Sequence, residues 1–416
     1  MSALGEELRE ALGAESIVEH PPVEWDGHKL ELTFRPPDGD RLAKGLALLS
    51  ERGLAALVRG GGTRSHWGNR AERADLILST EALTGIDTLD TEDGVVHVAA
   101  GTRLDEVRAA ANSGGWELPL DPPGEGTTVG GALSAAAIGP RRLGFGPPRD
   151  CVLGLEVALA SGERTRCGGR VMKNVTGYDL AKLYTGAFGT LGVIERAWLR
   201  LRPLPASLEV RVAEVPSSVD PFALTLELAR RTTTRVAALV GPGPAERIGS
   251  GCLIEEGWVL VAEFAGDSPA TERDLAWLEG RVDALPADAD VVGGLRRIQG
   301  APVAPPGLRA RIAVLPSALP ETCAGLEASD LELVVHPGLG LVYVESHADL
   351  DGSLGAVDGA AARGCGSAMY ESLPSQARAG RDVFGASPDV VPLMRALKER
   401  FDPTGTLNPG RFAGGL

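Results

Sequence analysis

The sequence predicts an α+β protein with a mixed N-terminal region (residues 1–205), a region rich in antiparallel strands (206–385) and a C-terminal segment (386–416). Three observations support this prediction. Glycine-rich turns punctuate short strands and helices in the first region, two successive β-α-β-β-α-β patterns fill the second, and the chain ends in a proline- and glycine-rich tail. A length of 416 residues suits two or three domains.

Composition excludes several classes of partner and location. The formal net charge of −15 argues against nucleic acid or an anionic membrane surface as the main partner. No apolar run reaches 18 residues, so direct membrane insertion is not expected. The five cysteines (151, 167, 252, 323 and 365) form no CxxC pair. We therefore expect no metal or iron–sulfur cluster on this chain, and the odd cysteine count without an export signal favours the reducing cytoplasm.

The first region alternates short strands with helices. Apolar residues at helical spacing predict a helix that ends at Gly53, and a buried strand leads into the glycine turn at 60–63. The expected helices are 40–52, 104–112 and 132–137, and the expected strands are 55–59, 76–79, 95–99, 152–160 and 191–201.

Four glycine-rich turns lie in this region, at 60–63, 124–131, 144–146 and 186–192. Successive backbone N–H groups in such turns can form an anion-binding nest. None of the turns carries the GxGxxG fingerprint in a βαβ unit, and any one of them alone reads as a structural loop. Four together favour a dinucleotide held in another type of fold.

The second region repeats one pattern twice. Its two βαββαβ cycles predict a duplicated ferredoxin-like unit that forms one large antiparallel sheet with helices on one face. Expected strands are 208–215, 236–241, 259–265, 289–292, 308–315, 331–335 and 341–345, and expected helices are 221–231, 270–282 and 354–362. The tail after residue 401, FDPTGTLNPGR, is too rich in turn residues for a free end, so we expect it to dock on another part of the chain.

Five motifs occur in a characteristic order: RGGGT, PPGEGTTVGGALSAA, RLGFGPPRDCVLGLEVALASGE, KNVTGYDLAKLYTGAFGTLGVIE and FDPTGTLNPGRF. Together they resemble the FAD-binding fold of the vanillyl-alcohol-oxidase and p-cresol-methylhydroxylase (PCMH) flavoproteins. Within that fold, RVMKNVTGYDLAKL and the LKERFDPTGTLNPGRF ending most resemble the smaller, FAD-binding subunits of bacterial glycolate oxidases. The resemblance implies a PCMH-type FAD-binding domain of two α+β lobes, a ferredoxin-like cap domain that faces the substrate, and a tail that packs back on the FAD site.

The resemblance also implies which residues contact FAD. They are Arg59, Gly60, Gly61, Gly62, Thr63, Gly126, Thr127, Thr128, Gly130, Gly131, Asn174, Gly177, Tyr178, Gly189, Thr190, Gly192, Ile194, Asn408 and Arg411. Relatives that attach the flavin covalently place a histidine at the end of the first glycine turn. Thr63 stands there in this chain, and His66 follows three residues later with an expected direction away from the flavin. We therefore expect non-covalent FAD.

Candidates for catalysis are fewer. Oxidation of a 2-hydroxy acid needs a cation for the carboxylate and a base for the hydroxyl proton. His336 and His347 lie near each other in the sequence, with Tyr343 and Glu345 alternating onto the His347 face of a strand, and Arg309 and Arg311 share one face of another strand. Both the histidine group and the arginine pair could equally be polar residues on an exposed sheet face without a catalytic role. The clustered histidines of the catalytic relatives are absent.

The resemblance implies an FAD-binding subunit of a complex that oxidises glycolate to glyoxylate, beside a second flavin subunit and an iron–sulfur subunit through which electrons leave. Such a complex could associate with the inner membrane through its partners. One alternative is a stand-alone FAD-dependent oxidase or dehydrogenase of another 2-hydroxy acid, such as D-lactate, or of an alcohol. Another is a non-catalytic scaffold subunit.

Overall fold

A computed structural model describes residues 3–170, 179–252, 254–329 and 331–416 of the chain. The first lobe surrounds a four-stranded mixed sheet in the order β1-β2-β4-β3, in which β1 is antiparallel to β2 and the other pairs are parallel. Its elements are α1 (Ala3–Leu12), β1 (Ile17–Trp25), β2 (His28–Phe34), α2 (Gly39–Glu51), β3 (Ala56–Arg59) and β4 (Leu76–Ser79).

Helix α2 shows how the sequence pattern produces this lobe. The side chain of Asp38 accepts a hydrogen bond from the N–H of Arg41 and caps the helix N-terminus. Leu42, Leu46 and Leu49 then recur on one helix face and are fully buried in the lobe core. Each such side chain stabilises the fold by about 1.5–3 kcal/mol through its removal from water.

The second lobe is built on a five-stranded antiparallel sheet in the order β5-β6-β10-β8-β9. Its elements are β5 (Ile86–Asp90), β6 (Val95–Ala99), α3 (Leu104–Ser113), β7 (Trp116–Glu117), α4 (Val129–Ser134), α5 (Arg142–Phe145), β8 (Val152–Ala158), β9 (Arg164–Gly168), α6 (Leu180–Tyr184), β10 (Val193–Arg200) and β11 (Arg202–Pro203). Strands β7 and β11 pair as a separate two-stranded ribbon.

An eight-stranded sheet in the order β15-β12-β14-β13-β17-β18-β16-β19 forms the cap, and every pairing in it is antiparallel. Its elements are β12 (Ser207–Glu214), α7 (Pro221–Leu228), β13 (Thr234–Val240), α8 (Pro242–Arg247), β14 (Val259–Gly266), α9 (Ser268–Glu279), β15 (Leu285–Pro286), α10 (Asp290–Ile298), β16 (Leu308–Ala313), α11 (Leu319–Glu327), β17 (Glu332–His336), β18 (Leu341–Ser346), α12 (Leu350–Arg363) and β19 (Ser367–Ser372). Two βαββαβ units meet edge to edge at β13 and β17, which confirms the predicted α+β class and the duplication.

Two expectations for the cap are wrong. The predicted strand at 289–292 is the start of helix α10, because Val291, Val292 and Leu295 share the buried face of a helix and leave no alternation for a strand. Helices also lie on both faces of the sheet. While α7, α9, α11 and α12 cover one face, α8 and α10 cover part of the other, where β12, β13 and β14 present valines that need burial.

Buried ion pairs join the cap to the second lobe. Arg141, which precedes α5, donates to Glu263 of β14 with an Nη2–Oε2 distance of 2.6 Å, and Glu263 has no exposed surface. Arg235 of β13 pairs with Glu117 of β7 at 2.9 Å. These bidentate contacts hold strands β13 and β14 of the cap sheet against the second lobe.

The C-terminal segment begins with helix α13 (Val391–Phe401) and then follows the edge of the first lobe. The N–H of Ala56 donates to the carbonyl of Thr406 at 2.7 Å, and the N–H of Asn408 donates back to Ala56 at 3.0 Å. The buried ammonium of Lys398 donates to the carbonyls of Thr190 and Leu407. Within the described parts of the chain, no helix combines the length and apolar composition that crossing a bilayer requires.

Candidate functional site

An open cleft of about 750 Å³ lies where the two N-terminal lobes and the tail meet. It is lined by turns that follow β3 and precede α4 and β10, so residues far apart in sequence share one wall. Of the predicted FAD contacts, those at the cleft are Arg59, Gly60, Gly61, Gly62, Thr63, Thr128, Gly130, Gly131, Gly189, Gly192, Ile194, Asn408 and Arg411.

The first glycine turn offers free hydrogen-bond donors to the cleft. Among the residues that the structure describes, the N–H groups of Gly60, Gly61, Gly62 and Thr63 donate to no protein acceptor. Gly62 has a φ of 72°, a conformation that glycine adopts without strain. A Cβ on Gly61 would stand 2.0 Å from the carbonyl oxygen of Gly126, so the second glycine turn presses directly on the first.

Three predicted contacts lie behind the cleft wall. The Thr127 hydroxyl donates to the carbonyl of Gly124 at 2.8 Å and so braces the second glycine turn, which also contains Gly126. Thr190 is buried, and its hydroxyl donates to the carbonyl of Ala187. The predicted contacts Asn174, Gly177 and Tyr178 lie outside the described residues.

The tail contributes Asn408 and Arg411 to the cleft. The Nδ2 of Asn408 donates to the carbonyl of Phe188 at 2.8 Å. Arg411 donates to the carboxylate of Asp26 at 3.0 Å and lies between the rings of Trp25 and Phe188. Both side chains are buried, so the tail is a fixed part of the cleft wall.

The part of the cap sheet without helices presents a row of charged side chains on the face opposite its apolar core. Alternation along β16 sends Leu308, Ala310 and Ile312 into the core, and the side chains of Arg309 and Arg311 to the other face. Tyr343 of β18 and Glu371 of β19 share that other face. All four belong to strands of the second βαββαβ unit.

Glu371 is the most unusual group in this row. It is 1% exposed, and neither carboxylate oxygen has a hydrogen-bond partner among the described residues. The Nη1 of Arg311 lies 3.3 Å from Oε1 without hydrogen-bond geometry. Burial raises the pKa of Glu371, and the positive charges of Arg311, Arg309 and Arg64 oppose that rise.

The loop after the first glycine turn meets this charged row. Arg64 lines the cleft, and its charge acts on Glu371 across the interface. Burial and then the charges of Arg309, Arg64, Arg378 and Arg411 lower the pKa of His66 to about 4. His66 is therefore a neutral imidazole near pH 7, and its Nε2 has no partner among the described residues.

The two candidate histidines lie apart from each other. His336 is buried on β17, its Nε2 is 2.8 Å from the side-chain nitrogen of Gln299, and burial lowers its pKa to about 4. His347 is exposed beyond the end of β18 and lies 3.3 Å from Glu332 and from Glu345. These three side chains could in principle hold a metal ion, but Arg247 and Arg309 already pair with the two carboxylates.

Sequence reasoning missed Arg64 and Glu371. His66, which was expected to point away from the flavin, is not among the residues that line the cleft, and the charges of four arginines, Arg309 of the cap among them, act on it. Only the alternation of AMYES along its strand could have placed Glu371 on the face that it shares with Arg311.

Comparison with known proteins agrees with this geometry. Residues 31–168 match the family of FAD binding domains, and residues 385–412 match the C-terminal domain of FAD linked oxidases. The fold is similar to that of p-cresol methylhydroxylase solved with its substrate bound. That similarity has a TM-score of 0.72 and 15% identity and covers 98% of this chain and 95% of the other.

Three curated relatives share parts of the sequence. D-lactate dehydrogenase of Archaeoglobus fulgidus is 33% identical over 48% of this chain and 45% of its own length. Glycolate oxidase subunit GlcD of Bacillus subtilis is 29% identical over 60% of this chain and 54% of its own length. Glycolate oxidase subunit GlcE of Escherichia coli is 41% identical over 32% of this chain and 39% of its own length. The matched part of this chain thus spans about half the length of these relatives.

The residues present fit FAD. The free N–H groups of the first glycine turn suit a pyrophosphate, and the buried Nε1 of Trp25, which lines the cleft, has no partner among the described residues. Neutral groups such as Asn408 and Thr128 suit the polar edge of a flavin. The matched region is thus similar to FAD binding domains, and the charge of Arg64, which lines its cleft, acts on Glu371 in the charged row of the cap.

Proposed function

We propose that this chain is the FAD-binding subunit of a glycolate oxidase type of complex that oxidises glycolate, a 2-hydroxy acid, to glyoxylate. The observation that carries the proposal is that the charge of Arg64, which lines the FAD cleft, acts on Glu371 of a buried cap face that also carries Arg309 and Arg311. Cations that recognise a carboxylate there lie next to an acceptor for a proton. Similarity to GlcE and GlcD supports assignment to a multi-subunit complex.

In this proposal each part of the chain has a distinct task. The turn at 60–63 holds the pyrophosphate through backbone N–H groups, the turn at 124–131 packs against it, and Asn408 closes the cleft beside Gly189. Bound FAD would supply a hydride acceptor. The cap arginines orient the acid, and the close contact between cap and lobes excludes water from the space between them.

Partners follow from what the sequence lacks. With no CxxC spacing for a cluster, the chain needs another protein to carry electrons away, and we propose an iron–sulfur subunit and a second flavin subunit for this purpose. We place the complex in the cytoplasm, with any membrane contact made by its partners. FAD is proposed to be non-covalent because Thr63 occupies the end of the first glycine turn.

A stand-alone dehydrogenase of D-lactate is the second candidate, and the match to the Archaeoglobus D-lactate dehydrogenase favours it. Affinity purification of the chain from its native host separates the two. The subunit proposal requires a second flavoprotein and a cysteine-rich protein to co-purify. A clean monomer whose flavin absorbance bleaches anaerobically with D-lactate would support the second candidate, and a purified chain without flavin bands would leave only a scaffold.

A further inference from the structure

The carboxyl of Glu371 is buried at an interface between two parts of the molecule and makes no hydrogen bond to any described residue. Among the described residues its one cation within 4.0 Å is Arg311, whose Nη1 is 3.3 Å from Oε1 but poorly aligned, since Nη2 of Arg311 is directed to the sulfur of Met369 at 3.2 Å. Leaving a buried carboxyl without hydrogen bonds is costly. Such a group is expected where a ligand supplies the missing donor.

Arg64, which lines the cleft, is a second cation whose charge acts on Glu371. No carboxylate of the described residues lies within 4.0 Å of its guanidinium, which donates instead to the Thr63 hydroxyl and to the carbonyl of Pro123. Its buried Nε has no partner among the described residues. Arg64 therefore lines the cleft without a close ion pair among the described residues, and only the more distant charge of Glu371 offsets its own.

The two unsatisfied groups complement one kind of ligand. We propose that Glu371, Arg311 and Arg64 form a binding site for the hydroxyl-bearing end of a small hydroxycarboxylic acid. Arg64 and Arg311 hold the carboxylate, and the Glu371 carboxylate accepts a hydrogen bond from the hydroxyl. Arg64 gains a close counter-charge, Arg311 gains a second carboxylate beside Glu371, and Glu371 gains the donor that it lacks. This inference rests on the proposed function for its ligand class, and it adds Arg64, to which that proposal gives no task, as a second cation for the carboxylate.

The other charged side chains near this site already have partners within the protein. Arg309 is already bound to Glu345 at 3.0 Å, and Arg378 and Arg411 share the carboxylate of Asp26. His66 is neutral near pH 7 because burial and the surrounding arginines lower its pKa to about 4. Arg64 and Arg311 are thus the cations left for a ligand carboxylate.

Binding without turnover tests the site. Full-length, FAD-loaded protein is reduced with dithionite under anaerobic conditions, so it cannot oxidise glycolate, and calorimetry measures the affinities for glycolate and for acetate, which differ by the hydroxyl alone. The pair D-lactate and propanoate is measured in the same way. We expect the wild-type protein to prefer the hydroxy acid by about tenfold or more, the effect of one hydrogen bond to a charged group.

Variants then locate the preference. Glu371→Met should abolish it, and Glu371→Gln, which keeps a neutral acceptor and the shape of the side chain, should retain part of it. Arg64→Met should weaken the binding of the hydroxy acid and of its partner without the hydroxyl alike, so the ratio of the two affinities should not change. Glu332→Met, on the same sheet face but paired with Arg247 outside this cluster, is the matched control and should bind like wild type.

A wild-type ratio near one, or a preference that survives both Glu371 variants, would overturn the site. The outcome is separable from that of the proposed function. If glycolate bleaches the wild-type flavin while the Glu371 variants keep the preference, only this site is wrong. If neither acid bleaches the flavin but glycolate still binds through Glu371, the site stands and the oxidation proposal fails.

Discussion

The side-chain oxygen of Asn408 accepts a hydrogen bond from the backbone N–H of Val58 at 2.8 Å, across 350 positions of sequence. Val58 lies in β3, directly before the glycine turn at 60–63. The Nδ2 of Asn408 donates to the carbonyl of Phe188, which lies in the glycine turn at 186–192. One buried side chain in the tail therefore sets the separation between two walls of the FAD cleft.

Replacing Asn408 tests this connection. Asn408→Ala leaves a buried N–H and a buried carbonyl without partners, so we expect the free energy of unfolding to fall by about 1–3 kcal/mol and the affinity for FAD to weaken. Urea denaturation and titration of the stripped protein with FAD measure the two effects. Asn112→Ala, at an exposed helix position, should change neither. Unchanged FAD affinity in Asn408→Ala would show that the tail does not shape the cleft.

Gly61→Ala tests the contact between the two glycine turns. The added Cβ would stand 2.0 Å from the Gly126 carbonyl oxygen, so the turns must separate, at a cost of about 1–3 kcal/mol, and the free N–H groups must move. We expect purified protein with far less FAD, measured from the flavin absorbance per polypeptide. Gly355→Ala, in α12 with no atom within 4 Å of its Cβ, is the control and should retain full FAD content. Normal FAD content in Gly61→Ala would contradict the role of this turn.

The buried histidines predict how stability depends on pH. Burial lowers the pKa of His336 from 6.5 to about 4, so between these pH values the unfolded chain binds more protons than the native one. The free energy of unfolding should therefore fall as the pH decreases from 6.5 to 4. His336→Gln should reduce this loss by about 1–3 kcal/mol, measured by urea denaturation across that range.

His347→Gln provides the comparison, since His347 is exposed beyond the neighbouring strand. It should keep the pH dependence of the wild-type protein. The same slope in His336→Gln as in wild type would mean that His336 is not buried as a neutral imidazole.

The buried ion pair between Arg141 and Glu263 predicts how firmly the cap is attached. Glu263→Gln removes the charge that compensates Arg141 and Arg235 at a fully buried position, and we expect a loss of about 3–5 kcal/mol in the free energy of unfolding. Denaturation in urea, monitored by circular dichroism, measures it. Glu209→Gln removes an exposed pair with Arg211 and should cost no more than about 1 kcal/mol. Equal losses in the two variants would refute a special role for Glu263.

The sequence by itself determined the parts of this protein that depend on local pattern. Apolar spacing at Leu42, Leu46 and Leu49 gave helix α2, and the repeated strand–helix order gave the duplicated cap sheet. The glycine turns at 60–63 and 186–192 were recognisable because few residues other than glycine allow such backbone turns. The local pattern gave a strand at 289–292, where the structure has the start of helix α10, because two adjacent valines suit either a strand or one face of a helix.

Only the tertiary structure decided which polar residues meet. Arg64, Arg311 and Glu371 come from three elements, and nothing in the sequence around any one of them indicates the other two. Their environment arises where the cap sheet is pressed against the FAD-binding domain by pairs such as Arg141–Glu263. Burial and opposing charge at an interface depend on long-range packing, which the period of a single strand or helix does not contain.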